Sequence, residues 1–421
     1  MSKLKILIVG ASIAGPTAAY FFAKAGATVT IIERFPHLRI NGQNVDIRTS
    51  GVTVMRKIPG MEAAVRANTF DLDGLCLVRE NGKPYGTIKT SGSPDQQSLL
   101  SEYEIFRGRL AAILYDFTKN NENIRYHFEE QVASIQQEDG IRAVKVTFLN
   151  GLQPAEYDLV VACDGATSRT RAIGFHCGVR DHIFPTNCWS AYFSTKQDLI
   201  HGSRLGHGFS SIPGRFMSVE YNSSGGNIVN MTMLHPQSAH NATAALREAI
   251  AQGDDSLKQY LVSRFYNHGW KTKEVLDELL KTDDLYASEV VQVKVPSLFN
   301  GRFALVGDAG YAPGFTGTGT TLALTGAYIL AGEICRHKGD VKAGLASYEN
   351  TMRPIINEMS KVPPFVPSIL APQTALALWL RNNLFALLAW SKLLEYVQRF
   401  FGSSGGKTSE YPLPDYHWEN D

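Results

Sequence analysis

The stretch that decides the fold is KLKILIVGASIAGPTAAYFFAKAGATVTIIERF, residues Lys3 to Phe35. An apolar run from Leu4 to Val9 leads into a glycine turn, a small-residue segment from Ala14 to Lys24, and a β-branched run from Thr28 to Ile32. A strand, a helix and a strand within about thirty residues are typical of a βαβ unit. Because the strands of such a unit are parallel, the pattern predicts a mixed α/β fold containing a Rossmann-like parallel sheet.

The turn between the first strand and the helix reads GASIAG, from Gly10 to Gly15. It fits the G-x-G-x-x-G pattern of dinucleotide-binding turns, except that Ser12 replaces the middle glycine. Gly10 permits the tight turn, Gly15 lets the helix approach the strand, and free N–H groups at the helix start can bind a pyrophosphate. The pattern predicts a dinucleotide site formed by Gly10, Ser12, Ile13, Ala14 and Gly15. A purely structural turn is the alternative.

Glu33 ends the second strand about twenty residues after the turn, where a carboxylate can accept hydrogen bonds from ribose hydroxyls. A carboxylate at this position favours an unphosphorylated adenosine ribose. We therefore expect FAD or NAD rather than NADP at this site, with the adjacent Arg34 also in contact with the cofactor.

Composition narrows the classes of partner. The chain has 421 residues, with 41 Lys and Arg against 40 Asp and Glu, so it has no field to attract nucleic acid. Its five cysteines are scattered without a CxxC pair, which argues against a disulfide framework or a metal site and favours a reducing, cytoplasmic location. A small-molecule partner and a monomer or weak oligomer are expected.

Two later segments, DLVVACDGATSRTR and GRFALVGDAGYAPGFTGTGTT, place Asp164 and Asp308 just after apolar strands and before small-residue turns. Between them, from about Phe175 to Pro236, alternating and aromatic runs broken by Gly, Pro, Asn and Ser predict an antiparallel sheet. Such a sheet is expected to form the wall of an apolar substrate site. Helical patterns follow from Ala242 to Lys281.

The motifs GASIAG, CDGATSRTR and VGDAGYAP occur in this order, and together they resemble the FAD-dependent aromatic hydroxylase family. These are single-component flavoprotein monooxygenases with the para-hydroxybenzoate hydroxylase fold, and the resemblance covers about residues 1 to 350. The segment RINGQNVDIRTSG, from Arg39 to Gly51, is similar to the Arg-x-x-Gly-x-x-x-Asp segment of the tetracycline-inactivating and polyketide-modifying branch.

The resemblance implies roles for residues near the cofactor. Asp46 falls where a carboxylate contacts the flavin side, Arg39 where an arginine handles the nicotinamide cofactor, and Arg107 where an arginine reaches the flavin phosphate and ribityl chain. The alternative for both arginines is a surface ion pair, which would contribute only about 0 to 1 kcal/mol.

Asp164 and Gly165 match the motif linked to FAD and NADPH handling, and Asp308 matches the residue that binds the ribityl hydroxyls. Capping of its own turn is the alternative role for Asp164.

The loop after Asp308 departs from the family pattern. Its Gly317, Gly319 and Thr320 are expected to meet the flavin through backbone N–H groups, because threonines replace the usual side-chain amides. A helix beginning near Thr320 would direct its positive end at the flavin N1–C2=O edge. Tyr311 stands where many relatives have histidine, so no proton-transfer role is expected there.

The implied chemistry is reduction of FAD by NADPH or NADH bound transiently, then uptake of O₂ to give a C4a-hydroperoxide that hydroxylates or epoxidises a small molecule. The substrate is expected to be an apolar or phenolic secondary metabolite in contact with Tyr192, Met217 and Phe315. Core packing is the alternative for Met217, and no catalytic base is identified.

Three rival functions remain. An oxidase or cyclase on the same fold would bind FAD and ignore NADPH. A halogenase would need a Trp-x-Trp-x-Ile-Pro element, which the chain lacks. A flavin-binding scaffold would leave the flavin unreduced.

The expected domains are discontinuous. Residues 1–70, 100–174 and 285–350 form the FAD-binding domain, residues 71–99 and 175–284 form the substrate domain, and residues 351–421 form a C-terminal helical segment with a tail. Within that segment, a helix over 373–401 is expected to pack on the body of the protein, with membrane-surface contact as the weaker alternative. The stretch from Phe401 to Tyr416 is expected to be a flexible connector.

Overall fold

The computed structural model describes residues 4–39, 43–69, 72–89, 103–138, 143–222, 225–236, 238–362, 366–391 and 412–418. Its strands are β1 Lys5–Val9, β2 Thr28–Ile32, β3 Asn44–Asp46, β4 Gly74–Val78, β5 Pro84–Lys89, β6 Glu104–Phe106, β7 Ile124–His127, β8 Val132–Gln136, β9 Val144–Phe148, β10 Ala155–Tyr157, β11 Leu159–Ala162, β12 Ile183–Thr195, β13 Leu205–Ser211, β14 Arg215–Tyr221, β15 Asn227–Leu234, β16 Tyr286–Val293, β17 Phe299–Asn300 and β18 Phe303–Leu305. Its α-helices are α1 Ala14–Lys24, α2 Thr49–Arg56, α3 Met61–Arg66, α4 Arg107–Asp116, α5 Arg169–Phe175, α6 Ala244–Gln252, α7 Asp254–Phe265, α8 Thr272–Leu279, α9 Asp308–Tyr311, α10 Gly319–Arg336, α11 Val341–Met359, α12 Val366–Leu370 and α13 Ala375–Trp390.

The first sheet has six strands in the order β17-β18-β11-β1-β2-β7. β1 pairs in parallel with β2 on one side and with β11 on the other, and β11 pairs in parallel with β18. The predicted parallel sheet is therefore confirmed. Because parallel strands end at the same edge, the residues that follow β1, β2, β11 and β18 converge there.

A second sheet has seven strands in the order β16-β12-β15-β14-β13-β4-β5. The predicted antiparallel sheet is present in β12 to β15, and its only described parallel pairing joins β13 to β4. Residues 286–293 were expected in the FAD-binding domain, but they form β16, which pairs antiparallel with β12. The boundary was misplaced because the sheet that a strand joins depends on its pairing partner and register, which local sequence does not specify.

The two faces of the seven-stranded sheet differ. One face carries Trp189, Met217, Val219 and Met231, which are fully buried together with core residues of α6, α7 and α8. The side chains that alternate with them face other parts of the chain, since Phe315 packs against Cys188 and Leu234 and Asn44 donates to Glu220. The three helices therefore cover the back of the sheet, and the front is left for the site between the two sheets.

The C-terminal part packs on the body. Helix α13 lies against β5, since a Cβ added at Gly86 would fall 2.5 Å from the Cβ of Ala389. The opposite side of α13 is apolar and exposed, with Trp379 at 62% and Trp390 at 82% exposure. Residues 392–401 of the expected helix lie outside the described residues. No helix in the described ranges is long and apolar enough to cross a membrane.

The expected flexible connector is wrong at its end. Tyr416 is only 8% exposed, and its hydroxyl donates a 2.7 Å hydrogen bond to Glu333 of α10. Trp418 stacks on Phe21 of α1 with ring centroids 5.3 Å apart. The aromatic side chains that follow the polar, glycine-rich stretch therefore anchor residues 412–418 to the parallel-sheet domain. The preceding part of the connector, 401–411, lies outside the described residues.

Candidate cofactor and substrate site

The glycine turn after β1 is closely packed. Gly10 has φ +109°, and a Cβ there would lie 2.6 Å from the carbonyl oxygen of Cys163. A Cβ on Gly15 would lie 1.9 Å from the carbonyl oxygen of Gly10. Ile13 and Ala14 are buried behind the turn, whereas Ser12 is partly exposed. The helix start can therefore approach the strand end only because neither glycine carries a side chain.

Glu33 links the ends of β1 and β2. One carboxylate oxygen accepts the Ala11 backbone N–H at 2.9 Å, and the other accepts the Phe35 backbone N–H at 3.2 Å. Each carboxylate oxygen can accept more than one hydrogen bond, so capacity for ribose hydroxyls remains. Glu33 is partly exposed at this edge, which is where the sequence placed it.

Asp164 organises the turn after β11. Its carboxylate accepts hydrogen bonds from the Ser168 hydroxyl, and from the backbone N–H and hydroxyl of Thr170 at 3.1 and 2.9 Å. The capping role named as the alternative is therefore present in the structure. The neighbouring Gly165 has φ +86° and no atom within 4 Å of an added Cβ, so its surface is open.

A buried arginine joins this turn to the Asp308 loop. Arg171 is fully buried, and its guanidinium donates to the carbonyl oxygens of Ala309, Ala166 and Val179 at 2.7, 3.0 and 2.8 Å. Burial lowers the pKa of Arg171, the dominant effect, and Asp164 opposes that shift. Sequence reasoning missed this residue, although it closes the quoted motif CDGATSRTR.

Asp308 is the first residue of α9 and follows Gly307, whose φ is +68°. Its side chain is exposed to solvent, yet desolvation by the surrounding protein raises its pKa, and Arg107 partly opposes the shift. A carboxylate that solvent can reach, although protein atoms surround it, lies in a cleft rather than on a convex surface. Arg107 is the first residue of α4, and its backbone N–H donates to the carbonyl oxygen of Gln43 at 3.1 Å.

Arg39 lies near the same cleft. Burial lowers the pKa of Arg39, and the like charge of Arg107 lowers it further. Its guanidinium lies 4.9 Å from the ring centroid of Phe35 and 5.8 Å from that of Tyr286. The guanidinium of Arg34 also lies over the Phe35 ring, 4.8 Å from its centroid. Within the described ranges, neither Arg39 nor Arg107 forms a hydrogen bond or ion pair through its side chain. The surface ion-pair alternative therefore fails for the described part of the chain.

The N-terminus of α10 completes the cleft. The helix begins at Gly319, one residue before the predicted start, and Gly317 has φ +72° with no atom within 4 Å of an added Cβ. Thr320 is buried at the start of the helix. The Thr321 hydroxyl accepts the Arg48 N–H at 2.9 Å and donates to the Arg48 carbonyl at 3.2 Å.

Two other side chains of this loop serve the fold. The Thr318 hydroxyl donates to the Met359 carbonyl at 3.1 Å. Tyr311 is buried with its hydroxyl 3.1 Å from that of Tyr348, and a Cβ on Gly326 would lie 1.9 Å from the Tyr311 hydroxyl oxygen. Thr318 therefore holds the loop in place, and Tyr311 is a packing residue.

The three residues predicted to contact substrate lie on different faces of the seven-stranded sheet. Tyr192 lies on the front of the seven-stranded sheet, where burial raises its pKa and Glu220 and Tyr286 act in the same direction. Phe315 packs on the same face against Cys188 and Leu234. Met217 is on the opposite face and 0% exposed, so its predicted substrate contact is wrong. An apolar strand residue is recognisable from sequence, but the face it occupies depends on register.

Asp46 is placed by the two-stranded ribbon of β3 and β6, where it lies directly opposite Glu104. Its carboxylate forms an ion pair with Arg48. The ribbon also carries Asn44, whose side chain bonds both Glu104 and Glu220. Sequence reasoning missed these polar residues, although Asn44 and Arg48 both lie within the quoted segment from Arg39 to Gly51.

The assembled residues fit FAD. The glycine turn after β1 and the start of α1 lie at one end of the sheet edge. Arg39 and Arg107, which have no described anionic partner, lie near the accessible carboxylate of Asp308. The start of α10 lies at the other end. The arginines suit phosphate, and the carboxylates suit sugar hydroxyls.

Comparison with known proteins decides the family. The profile of the FAD binding domain family matches residues 3–362 of the chain. The chain belongs to this family. An FAD-dependent monooxygenase, asL4 from Sarocladium schorii, is 33% identical over 357 residues, covering 84% of this chain and 80% of that protein. The monooxygenase CTB7 from Cercospora beticola is 28% identical over 424 residues, covering 99% and 98% of the two chains.

Among solved structures, the tetracycline destructase Tet(51) superposes with a TM-score of 0.76 at 25% identity, covering 98% of this chain and 100% of that one. The resemblance to FAD-dependent aromatic hydroxylases is thus confirmed, and so are the mixed α/β fold and an FAD-dependent monooxygenase as the class of enzyme.

Proposed function

We propose that this FAD-dependent monooxygenase uses NADPH or NADH and O₂ to hydroxylate or epoxidise a small ring compound of secondary metabolism. The observation that carries the proposal is the cleft at the edge of the parallel sheet, where Asp308 is accessible and Arg39 and Arg107 have no described anionic partner. The relatives that are named monooxygenases support the reaction class.

The residues that would hold FAD follow the edge of the sheet. The turn from Gly10 to Gly15 and Glu33 would bind the adenosine and pyrophosphate half. Arg107 would neutralise phosphate, Asp308 would accept from ribityl hydroxyls, and the N-terminus of α10 would face the flavin ring. When bound and reduced, FAD supplies the electrons that activate O₂ for transfer of one oxygen atom.

The surrounding chain positions the reaction. Tyr192 and Phe315 lie on the sheet face that is turned towards the cleft, where they would hold the substrate and exclude water. Arg39, close to the same cleft, is proposed to receive the phosphate of the nicotinamide nucleotide. Only one glycine fingerprint is present in the sequence, which favours transient binding of that nucleotide over a second dinucleotide domain.

The cofactor half of the proposal is tested with Arg107→Ala. A charge-assisted contact to phosphate is expected to be lost, which should weaken FAD binding about tenfold or more. Arg109→Ala is the matched control, because Arg109 is exposed on the same helix. FAD affinity is measured by quenching of flavin fluorescence. Equal affinities for the two variants would contradict the placement of the phosphate.

The reaction is tested with the FAD-loaded protein. We expect a phenol or polycyclic substrate to stimulate oxidation of NADPH or NADH, and ¹⁸O from ¹⁸O₂ to appear in the product. Reduction of the flavin by a substrate without any nicotinamide nucleotide would instead support the oxidase or cyclase alternative. A protein that binds no FAD would overturn the proposal entirely.

A further inference from the structure

Three carboxyl groups meet where the β3–β6 ribbon reaches the front of the seven-stranded sheet. Asp46 and Glu104 lie directly opposite each other on the ribbon. The Asn44 amide donates to Glu220 of β14 at 2.9 Å and to Glu104 at 3.4 Å. The Ser218 hydroxyl donates to the other oxygen of Glu220 at 3.0 Å. We call Asp46, Glu104 and Glu220 the carboxyl cluster.

The carboxyl cluster lies between the cofactor cleft and the substrate sheet. Glu104 is three residues before Arg107, and the backbone of Arg48, just after Asp46, is bonded to Thr321 at the start of α10. On the sheet, Glu220 is close enough to Tyr192 to affect its pKa. The cluster therefore belongs to the region where a substrate would meet the flavin.

The charges in the carboxyl cluster are not balanced. Arg48 pairs with Asp46, and no cation among the described residues forms an ion pair with Glu104 or Glu220. Burial, followed by the charges of Glu220 and Asp46, raises the pKa of Glu104 to about 8. Burial also raises the pKa of Glu220, against the hydrogen bonds from Ser218 and Asn44. Burial and mutual repulsion therefore favour protonation of the pair, because like charges this close cannot both ionise freely.

The same region has more hydrogen-bond acceptors than hydrogen-bond donors. Asp46 Oδ1, Asn44 Oδ1 and Gln43 Oε1 are enclosed and have no hydrogen-bond partner. Glu104 and Glu220 remain partly accessible, so a ligand in the cleft can reach them. Buried acceptors are costly to leave unpaired, and a group that supplies donors would satisfy them. Among the described residues, no set of acidic, histidine or cysteine side chains is arranged to hold a metal ion.

We propose that the carboxyl cluster binds a hydroxyl group of a neutral ring substrate and rejects substrates that carry a carboxylate at that position. The inference rests on the proposed function, because it assigns the polar end of the same substrate site. The hydroxyl donates to the carboxyl oxygens, whereas a carboxylate has no donor and is repelled. Arg48 within the cluster and Arg39 beside Tyr286 disfavour an ammonium group in the same place.

The test compares three probes that share one ring: 2-naphthol, 2-naphthoate and naphthalene. Calorimetry gives their dissociation constants for the full chain and for Glu220→Gln, with Glu274→Gln as control. Glu274 is exposed on α8, behind the sheet, and its substitution removes the same charge. We expect the unaltered protein to bind 2-naphthol at least tenfold more tightly than naphthalene, and 2-naphthoate more weakly than either.

Glu220→Gln should weaken 2-naphthol binding about tenfold, because a carboxyl acceptor is replaced by an amide, and should strengthen 2-naphthoate binding, because that amide donates at every pH. A purely structural role for Glu220 would weaken both probes together, so the opposite changes are diagnostic. Glu274→Gln should leave both affinities unchanged.

Two results would overturn the inference: 2-naphthol binding no tighter than naphthalene, or a Glu220→Gln variant with unchanged preference between 2-naphthol and 2-naphthoate. FAD content is measured separately on each protein from its visible spectrum. Absence of the hydroxyl preference from the unaltered protein with FAD bound would refute the carboxyl cluster alone. Absence of FAD from the unaltered protein would refute the proposed function, while calorimetry would still report the naphthol preference.

Discussion

The cofactor cleft and the seven-stranded sheet use different parts of the chain to form a site. The proposed cofactor site consists mainly of backbone turns after β1 and β11 and before α10, where glycines such as Gly10 and Gly15 permit close approach. On the sheet, side chains from separate strands, such as Tyr192 and Glu220, form the surface together. A site built from backbone depends on local motifs, whereas a site built from side chains depends on strand register.

The largest expected effect concerns the backbone site. Gly15→Ala should abolish FAD binding, because the new Cβ would lie 1.9 Å from the Gly10 carbonyl oxygen and the turn would have to move. The purified variant should be colourless. As a control, Gly253→Ala changes a glycine at an open position between α6 and α7; because Gly253 has φ +104°, this control adds backbone strain that Gly15→Ala does not. Retention of FAD by Gly15→Ala would break the distinction between the two kinds of site.

The second effect separates the two faces of the sheet. Met217→Ala should lower the free energy of unfolding by about 2 to 5 kcal/mol, because it opens a cavity in a fully buried cluster. FAD and substrate affinities should change little. Tyr192→Phe should do the reverse, with a small effect on urea unfolding and a clear loss of substrate-stimulated NADPH oxidation. If Met217→Ala altered substrate affinity selectively, the assignment of faces would be wrong.

The smallest expected effect is a pH dependence of stability. The pKa of Glu104 rises from 4.5 to about 8 on folding, so the folded protein holds a proton that the unfolded chain releases. Its contribution to stability is full below about pH 4.5 and is lost as the pH rises towards 8. The pKa difference of about 3.5 (8 minus 4.5) sets an upper limit of about 5 kcal/mol, and solvent screening of this partly accessible carboxyl reduces the expected loss to about 1 to 2 kcal/mol.

Urea unfolding is measured between pH 5 and 8 for the unaltered protein and for Glu104→Gln. The difference between their free energies of unfolding at each pH reports the effect. The difference is needed because buried His268, whose pKa is lowered to about 3 by burial, gives a slope of opposite sign in both proteins. Glu274→Gln is again the control. Parallel curves for the unaltered protein and Glu104→Gln would mean that Glu104 ionises normally.

The βαβ unit was predictable because its signals are local. The helix from Ala14 to Lys24 and the strand from Thr28 to Ile32 have the predicted bounds. Glu33 and Asp308 were found from their positions after strands. The front face of the sheet was not predictable in the same way: Met217 was assigned to it wrongly, and Glu220 was not identified.

By itself, the sequence determined the strand–turn–helix units and the glycines that their turns require. The order of these motifs along the chain also indicated the family. Only the tertiary structure decided which strand faces point towards the cofactor cleft, and that Asp46, Glu104 and Glu220 meet although up to 174 positions separate them. The reason is physical. A turn is fixed by steric limits on a few adjacent residues, whereas a pocket of side chains depends on sheet order and register, which are set by packing over the whole chain.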